Sequence, residues 1–193
     1  MPQQQPPAAP SDDEVIAATR AWVDKAVIGL NLCPFAKSVQ VKGQVRYVVS
    51  AARDTDALQV DLVRELESLA TADPAEIDTT LLIHPHVLND FLDYNHFLDV
   101  ADATLAALGL DGKLQVASFH PDYQFANASA DDITNYTNRS PYPILHLLRE
   151  DSIDRAVEAF PDAADIFERN MDTLRRLGPA GWNALRVGAK AKT

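Results

Sequence analysis

Four groups of side chains carry the types and spacings that chemistry needs, and all lie between Cys33 and Arg149. Two apolar runs end in the same tripeptide pattern, Ile83-His84-Pro85 and Phe119-His120-Pro121. An imidazole titrates near neutrality and serves as a general acid or base. His84 and His120 are therefore the first candidates for proton transfer. The single cysteine, Cys33, precedes Pro34 at the end of the first helical stretch. A neighbouring histidine would make it a nucleophile or redox thiol, although a helix C-terminus raises a thiol pKa. The series His86, Asn89, Asp93, His96 has helical spacing, so these residues would share one flank of a helix. With His84 and His120 added, the candidate ligands for a divalent transition metal are His84, His86, His120 and Asp93. The fourth group is the polar run over 131–143. There Ser140 and Tyr142 each precede a proline and are held extended, which would aim Asn138, Arg139 and Tyr142. Arg139 has the fork that clamps a carboxylate or phosphate, and Asn31 joins this set as a candidate ligand contact.

The elements that must position these groups follow from periodicity. Ser11 and Glu14 have capping-box spacing, and Val15, Trp22, Val23, Ala26 and Leu30 continue at helical intervals until Pro34 forces a stop. Residues 44–50, 79–84 and 114–120 read as strands, the last two closed by Pro85 and Pro121. Helices lie between them, marked by Leu58, Leu62, Leu66 and Leu69 and then by Phe91, Tyr94, Leu98, Ala101 and Leu105. Residues 122–143 have no periodicity, and 144–148 form a short fourth strand with His146 inside it as a satisfied, partly buried histidine. The remainder is helical, broken at Pro161 with a cap at Asp162, and again at Gly178-Pro179. Strands alternating with helices predict an α/β fold with a mainly parallel four-stranded sheet, packed by helices, and a helical C-terminal portion. In such a sheet ligands collect outside the carboxyl ends of the strands. His84 and His120 would meet there if their strands were neighbours, about 4.8 Å apart.

The bulk properties narrow the function. The 193 residues suit one α/β domain over 11–188, with a Pro- and Gln-rich disordered tail over 1–10 and a frayed end over 189–193. Seventeen basic against twenty-eight acidic residues, net −11, disfavour nucleic acid and anionic membrane surfaces as partners. No run approaches the length of a membrane span. One cysteine permits no intramolecular disulfide, and the first residues lack the build of a signal peptide, so a cytoplasmic location is expected. No glycine-rich phosphate loop, H-E-x-x-H, C-x-x-C or G-x-S-x-G is present.

Several stretches resemble the bacterial and plant family known as domain of unknown function 1415. They are Gly29-Leu30-Asn31-Leu32-Cys33-Pro34-Phe35-Ala36, His84-Pro85-His86, Phe119-His120-Pro121, Thr137-Asn138-Arg139-Ser140-Pro141-Tyr142-Pro143 and Leu145-His146-Leu147-Leu148-Arg149-Glu150. The resemblance runs from the first helix to about Phe160. It implies an intracellular single-domain protein and assigns no activity. The leading expectation is a small-molecule enzyme with a histidine/cysteine cleft at the carboxyl edge of the sheet. In it His84 or His120 acts as acid/base, Cys33 as nucleophile, and Asn138 and Arg139 hold a polar or anionic substrate. The rivals are a metal-dependent protein using the His/Asp set and a non-catalytic module that binds a ligand or partner through the 135–142 loop. The sequence leaves the oligomeric state open.

Overall fold

A computed structural model describes residues 10–159 and 165–188. The expected tail and frayed end, apart from Pro10, and the Pro161 stop with its Asp162 cap lie outside the described residues. The chain opens with helix α1 (Asp12–Trp22), and Ser11 and Glu14 form the reciprocal capping box that their spacing predicts. Instead of continuing as α-helix, the chain widens into a π-helical segment, Val23–Ile28. A short helix α2 (Ala36–Val41) follows, which periodicity did not reveal. Then come β1 (Val45–Val49), α3 (Thr55–Thr71), β2 (Thr79–Ile83), α4 (Phe91–Ala107) and β3 (Leu114–Phe119). Asp54 and Asp90 cap α3 and α4 through backbone amides of their first turns. After a 3-10 turn at Ile133–Thr137, β4 (Ile144–Arg149) leads directly into α5 (Glu150–Glu158). The last helix, α6 (Ile166–Leu185), kinks at Gly178, where φ is +64° and Pro179 follows.

The four strands form one sheet in the order β1-β2-β4-β3. β1 and β2 are parallel, but β4 runs antiparallel to both β2 and β3. The sheet is therefore mixed, which corrects the expectation of a mainly parallel one. A parallel return needs a crossover, usually a helix. The segment from β3 to β4 carries only a 3-10 turn, and β4 comes back antiparallel, between the two strands expected to be neighbours. β1, β2 and β3 still share one direction, so His84 and His120 reach the same edge. They do so two strands apart, about 10 Å by strand spacing.

Each face of the sheet builds its own core. α3 and α4 cover one face, where Leu58, Leu62, Leu66, Tyr94 and Ala101 pack on Leu82, Leu145 and Leu147. α1, the π-helical segment and α6 cover the other, where Val15, Trp22, Ala26, Leu174 and Trp182 pack with Leu81, Ile83 and Ile144. The alternation along β4 sends Leu145 and Leu147 to the first face, and Ile144 and His146 to the second. Arg149, at the end of β4, donates to the carbonyls of Leu69, Ala72 and Ile77, closing the C-terminal end of α3.

One hydroxyl joins the two antiparallel strands at the end of their ladder. Tyr94, with no exposed surface, donates to the Ile144 carbonyl at 2.8 Å and accepts from the Phe119 amide at 3.1 Å. Tyr94→Phe removes both bonds and leaves a main-chain donor and acceptor in an apolar setting. The expected loss is about 2–4 kcal/mol, read as a lower midpoint in urea with an unchanged slope. A change below about 0.5 kcal/mol, the size of an ordinary surface substitution, would contradict this role.

Candidate functional site

At the carboxyl edge of β1, β2 and β3 the two expected histidines are fully buried and held by main-chain partners. Val87 offers only a carbonyl, so His84 Nδ1 carries the proton and donates to it at 3.0 Å. His84 Nε2 is then a buried lone pair without a partner among the described residues. His120 Nδ1 accepts from the Asp122 amide at 3.0 Å, so its Nε2 donates to the Leu88 carbonyl at 3.1 Å. Tyr94 lies against both imidazoles, with ring centroids 5.8 Å from His84 and 5.1 Å from His120. Together the two histidines pin the turn between β2 and α4, in which Leu88 has the left-handed φ of +57°. Burial lowers the His84 pKa to about 4, and burial also lowers that of His120. Neither histidine lines any of the principal cavities among the described residues.

The other expected groups are placed apart. α4 begins at Phe91 under the Asp90 cap, so His86 and Asn89 lie in the preceding turn and share no helix flank with Asp93 and His96. Asp93 and His96 border a shallow depression with Thr55, Asp56 and Gln59. Among the described residues no three His, Cys, Asp or Glu side chains are grouped to hold a metal ion. In the polar loop, Asn138 Nδ2 donates to the Ser118 carbonyl. Arg139 donates to the carbonyls of Tyr123 and Ala130 and lies 4.4 Å over the Tyr136 ring. Tyr142 packs against the second core. Asn31, at φ +54°, borders a separate cleft with Arg169 and Arg176. The loop thus spends much of its hydrogen-bonding capacity on its own main chain.

Cys33 does share a cleft with a histidine, and that histidine is His146. The cleft, about 320 Å³, opens over the second face of the sheet. Leu81, Ala117, Phe119 and Leu148 line it from the strands, Trp22, Val23, Phe35 and Val39 from the N-terminal helices, and Ile153 and Ala156 from α5. Because it extends to Val45, Thr79 and Gln115, it reaches toward the amino ends of β1, β2 and β3 rather than their carboxyl edge. His146 Nε2 lies 2.8 Å from Thr79 Oγ1, which donates to the Leu147 carbonyl at 2.7 Å. Burial lowers the His146 pKa to about 4. Burial raises the Cys33 pKa, opposed by the amides of Phe35 and Ala36. Thiol and imidazole are both uncharged at neutral pH, so the pair is not the thiolate–imidazolium of an activated nucleophile. Sequence reasoning set His146 aside as a histidine inside an apolar strand. The usable signal was its parity, which groups it with Ile144 on the face opposite Leu145 and Leu147.

Three neutral histidines, His84 and His120 buried and His146 half-buried against the cleft, give stability a definite pH dependence. Their folded pKa values lie below the ordinary 6.5, so the unfolded chain takes up protons first as pH falls. The stability they contribute is whole above pH 6.5 and falls as pH drops below it, toward pH 4 for His84 and His146. Between pH 6.5 and 5, above most carboxylate titration, the loss is on the order of 2 kcal/mol each for His84 and His146. Urea unfolding at pH 7, 6 and 5 measures it, and a flat profile across that range would contradict the neutral, buried assignment.

Among the described residues no helix is long and apolar enough to cross a membrane. No curated protein and no solved structure matches the chain. One family model matches residues 14–184, nearly the whole of the described fold, and its description is protein of unknown function (DUF1415). The chain belongs to that family.

Proposed function

We propose that this protein binds a small, largely apolar molecule in the cleft over β2, β4 and β3, with His146 and Cys33 as its polar contacts. The observation that carries the reading is the cleft itself. It has the volume of a small-molecule site, and mostly apolar walls interrupted by a few polar groups, which is how such sites are built. This retains Cys33 of the expected histidine/cysteine cleft and replaces His84 and His120 with His146. It moves the cleft from the carboxyl edge to the face of the sheet and exchanges a polar or anionic substrate for an apolar one. The neutral state of both side chains favours recognition over covalent catalysis. Any proton transfer in the cleft would pass through His146, whose low pKa makes it a weak base. The net charge of −11 supports a neutral ligand over nucleic acid.

N-phenyl-1-naphthylamine, an uncharged probe that fluoresces in apolar surroundings, tests the reading. The expected result is saturable binding at one site per chain, with slower alkylation of Cys33 by iodoacetamide in its presence. Ala117→Phe places a ring in the cleft from β3 and should abolish both effects while the circular dichroism stays that of the parent. No saturable binding to the parent, or binding undiminished in Ala117→Phe, would overturn the assignment.

A further inference from the structure

The hydrogen bonds beneath the cleft decide what its ligand must offer. Thr79 is buried, and its hydroxyl has one proton, which goes to the Leu147 carbonyl at 2.7 Å. The oxygen facing His146 Nε2 at 2.8 Å must therefore accept. That places the imidazole proton on Nε2 and leaves Nδ1 as a bare acceptor. Among the described residues no donor reaches Nδ1. Unlike His84 Nε2, it is not one of the buried atoms sealed off without a partner, so the cleft that His146 lines can serve it. Around this acceptor the walls are aromatic: Phe119 lies 5.9 Å from the His146 ring, and Trp22 meets Phe119 edge-on at 5.2 Å.

The charged residues of the cleft, Arg149 and Asp78, offset one another. Arg149 spends its Nε and Nη2 on main-chain carbonyls, and Asp78, held by the Ser152 hydroxyl at 2.6 Å, lines the same cleft. A carboxylate in the cleft would face the His146 lone pair, with Asp78 offsetting the Arg149 charge and the carboxylate's own solvation lost to apolar walls.

Resting on the proposed binding cleft, we infer that its ligand class is a neutral aromatic hydrogen-bond donor, of which a phenol is the simplest form. The hydroxyl donates to His146 Nδ1 and the ring lies among Phe119, Trp22 and the apolar floor. An ether of the same ring supplies no proton and leaves Nδ1 unpaired, and the matching carboxylate brings repulsion.

Displacement of the fluorescent probe by 2-naphthol, 2-methoxynaphthalene and 2-naphthoate tests this at pH 7. The expected order is 2-naphthol first, the ether weaker by roughly fivefold or more, the worth of a buried hydrogen bond, and 2-naphthoate weakest. His146→Leu should bring naphthol and ether to equal affinity while retaining both. Independently, ¹⁵N shifts of the His146 ring should show a protonated Nε2 and a bare Nδ1 in the parent protein, which needs no variant. Equal binding of naphthol and ether to the parent, preferred binding of naphthoate, or a proton on Nδ1 would overturn the donor selectivity and leave the cleft standing. If none of the three displaces the probe, or the probe itself does not bind, the cleft reading falls and the selectivity with it.

Discussion

The placement of β4 is the constraint on which the rest of the molecule depends. It lies antiparallel between β2 and β3, and every strand contact on that side of the sheet passes through it. The Tyr94 hydroxyl holds its start to the end of β3, and the Arg149 guanidinium ties its end to the last turn of α3. With both ends fixed, the alternation of side chains along six residues is fixed too. His146 then has to stand on the face opposite the Leu145–Leu147 core. The same insertion keeps His84 and His120 a strand apart, with the Tyr94 ring against both.

Burial governs the chemistry that follows. An imidazole in an apolar interior is held neutral because the charged form loses more hydration than its neighbours return, and at His120 this outweighs even Asp122 and Asp90. His84 and His120 then act as directional hydrogen bonds that shape one turn. His146 is governed by the same physics but differs in surroundings: one ring nitrogen is held by Thr79 and the other borders open volume. Cys33, a neutral thiol for the same reason, adds a soft, weakly polar surface to that volume. The only ion pairs to a fully buried carboxylate among the described residues lie elsewhere, where Arg46 and Arg64 meet Glu65 beneath the sheet.

Much of this architecture was legible in the residues. Ser11 and Glu14 announced the first helix, the leucines of α3 its buried stripe, and the two His-Pro pairs the ends of β2 and β3. Strand direction was not legible, because 122–143 shows only polarity and proline, and nothing local distinguishes a parallel return from an antiparallel one. The start of α4 was misplaced because His86 and Asn89 fit a helical period that the Asp90 cap interrupts. Arg139 looked like a ligand clamp because its partners, the carbonyls of Tyr123 and Ala130, are main-chain atoms with no signature in side-chain pattern. Cys33 and His146, more than a hundred positions apart, share a cleft only through the packing of the N-terminal helices on the second face, which periodicity along either segment does not encode.

The central claim is that the functional surface is the cleft over the second face of the sheet and not the histidine edge. The most direct measurement is a ¹H–¹⁵N correlation spectrum of assigned protein, recorded while a mixture of small aromatic compounds is added. The account predicts perturbations concentrated at Trp22, Leu81, Ala117, Phe119 and the residues flanking His146. Perturbations confined to 84–91 and 120–125, with these positions silent, would contradict it and return the site to the carboxyl edge.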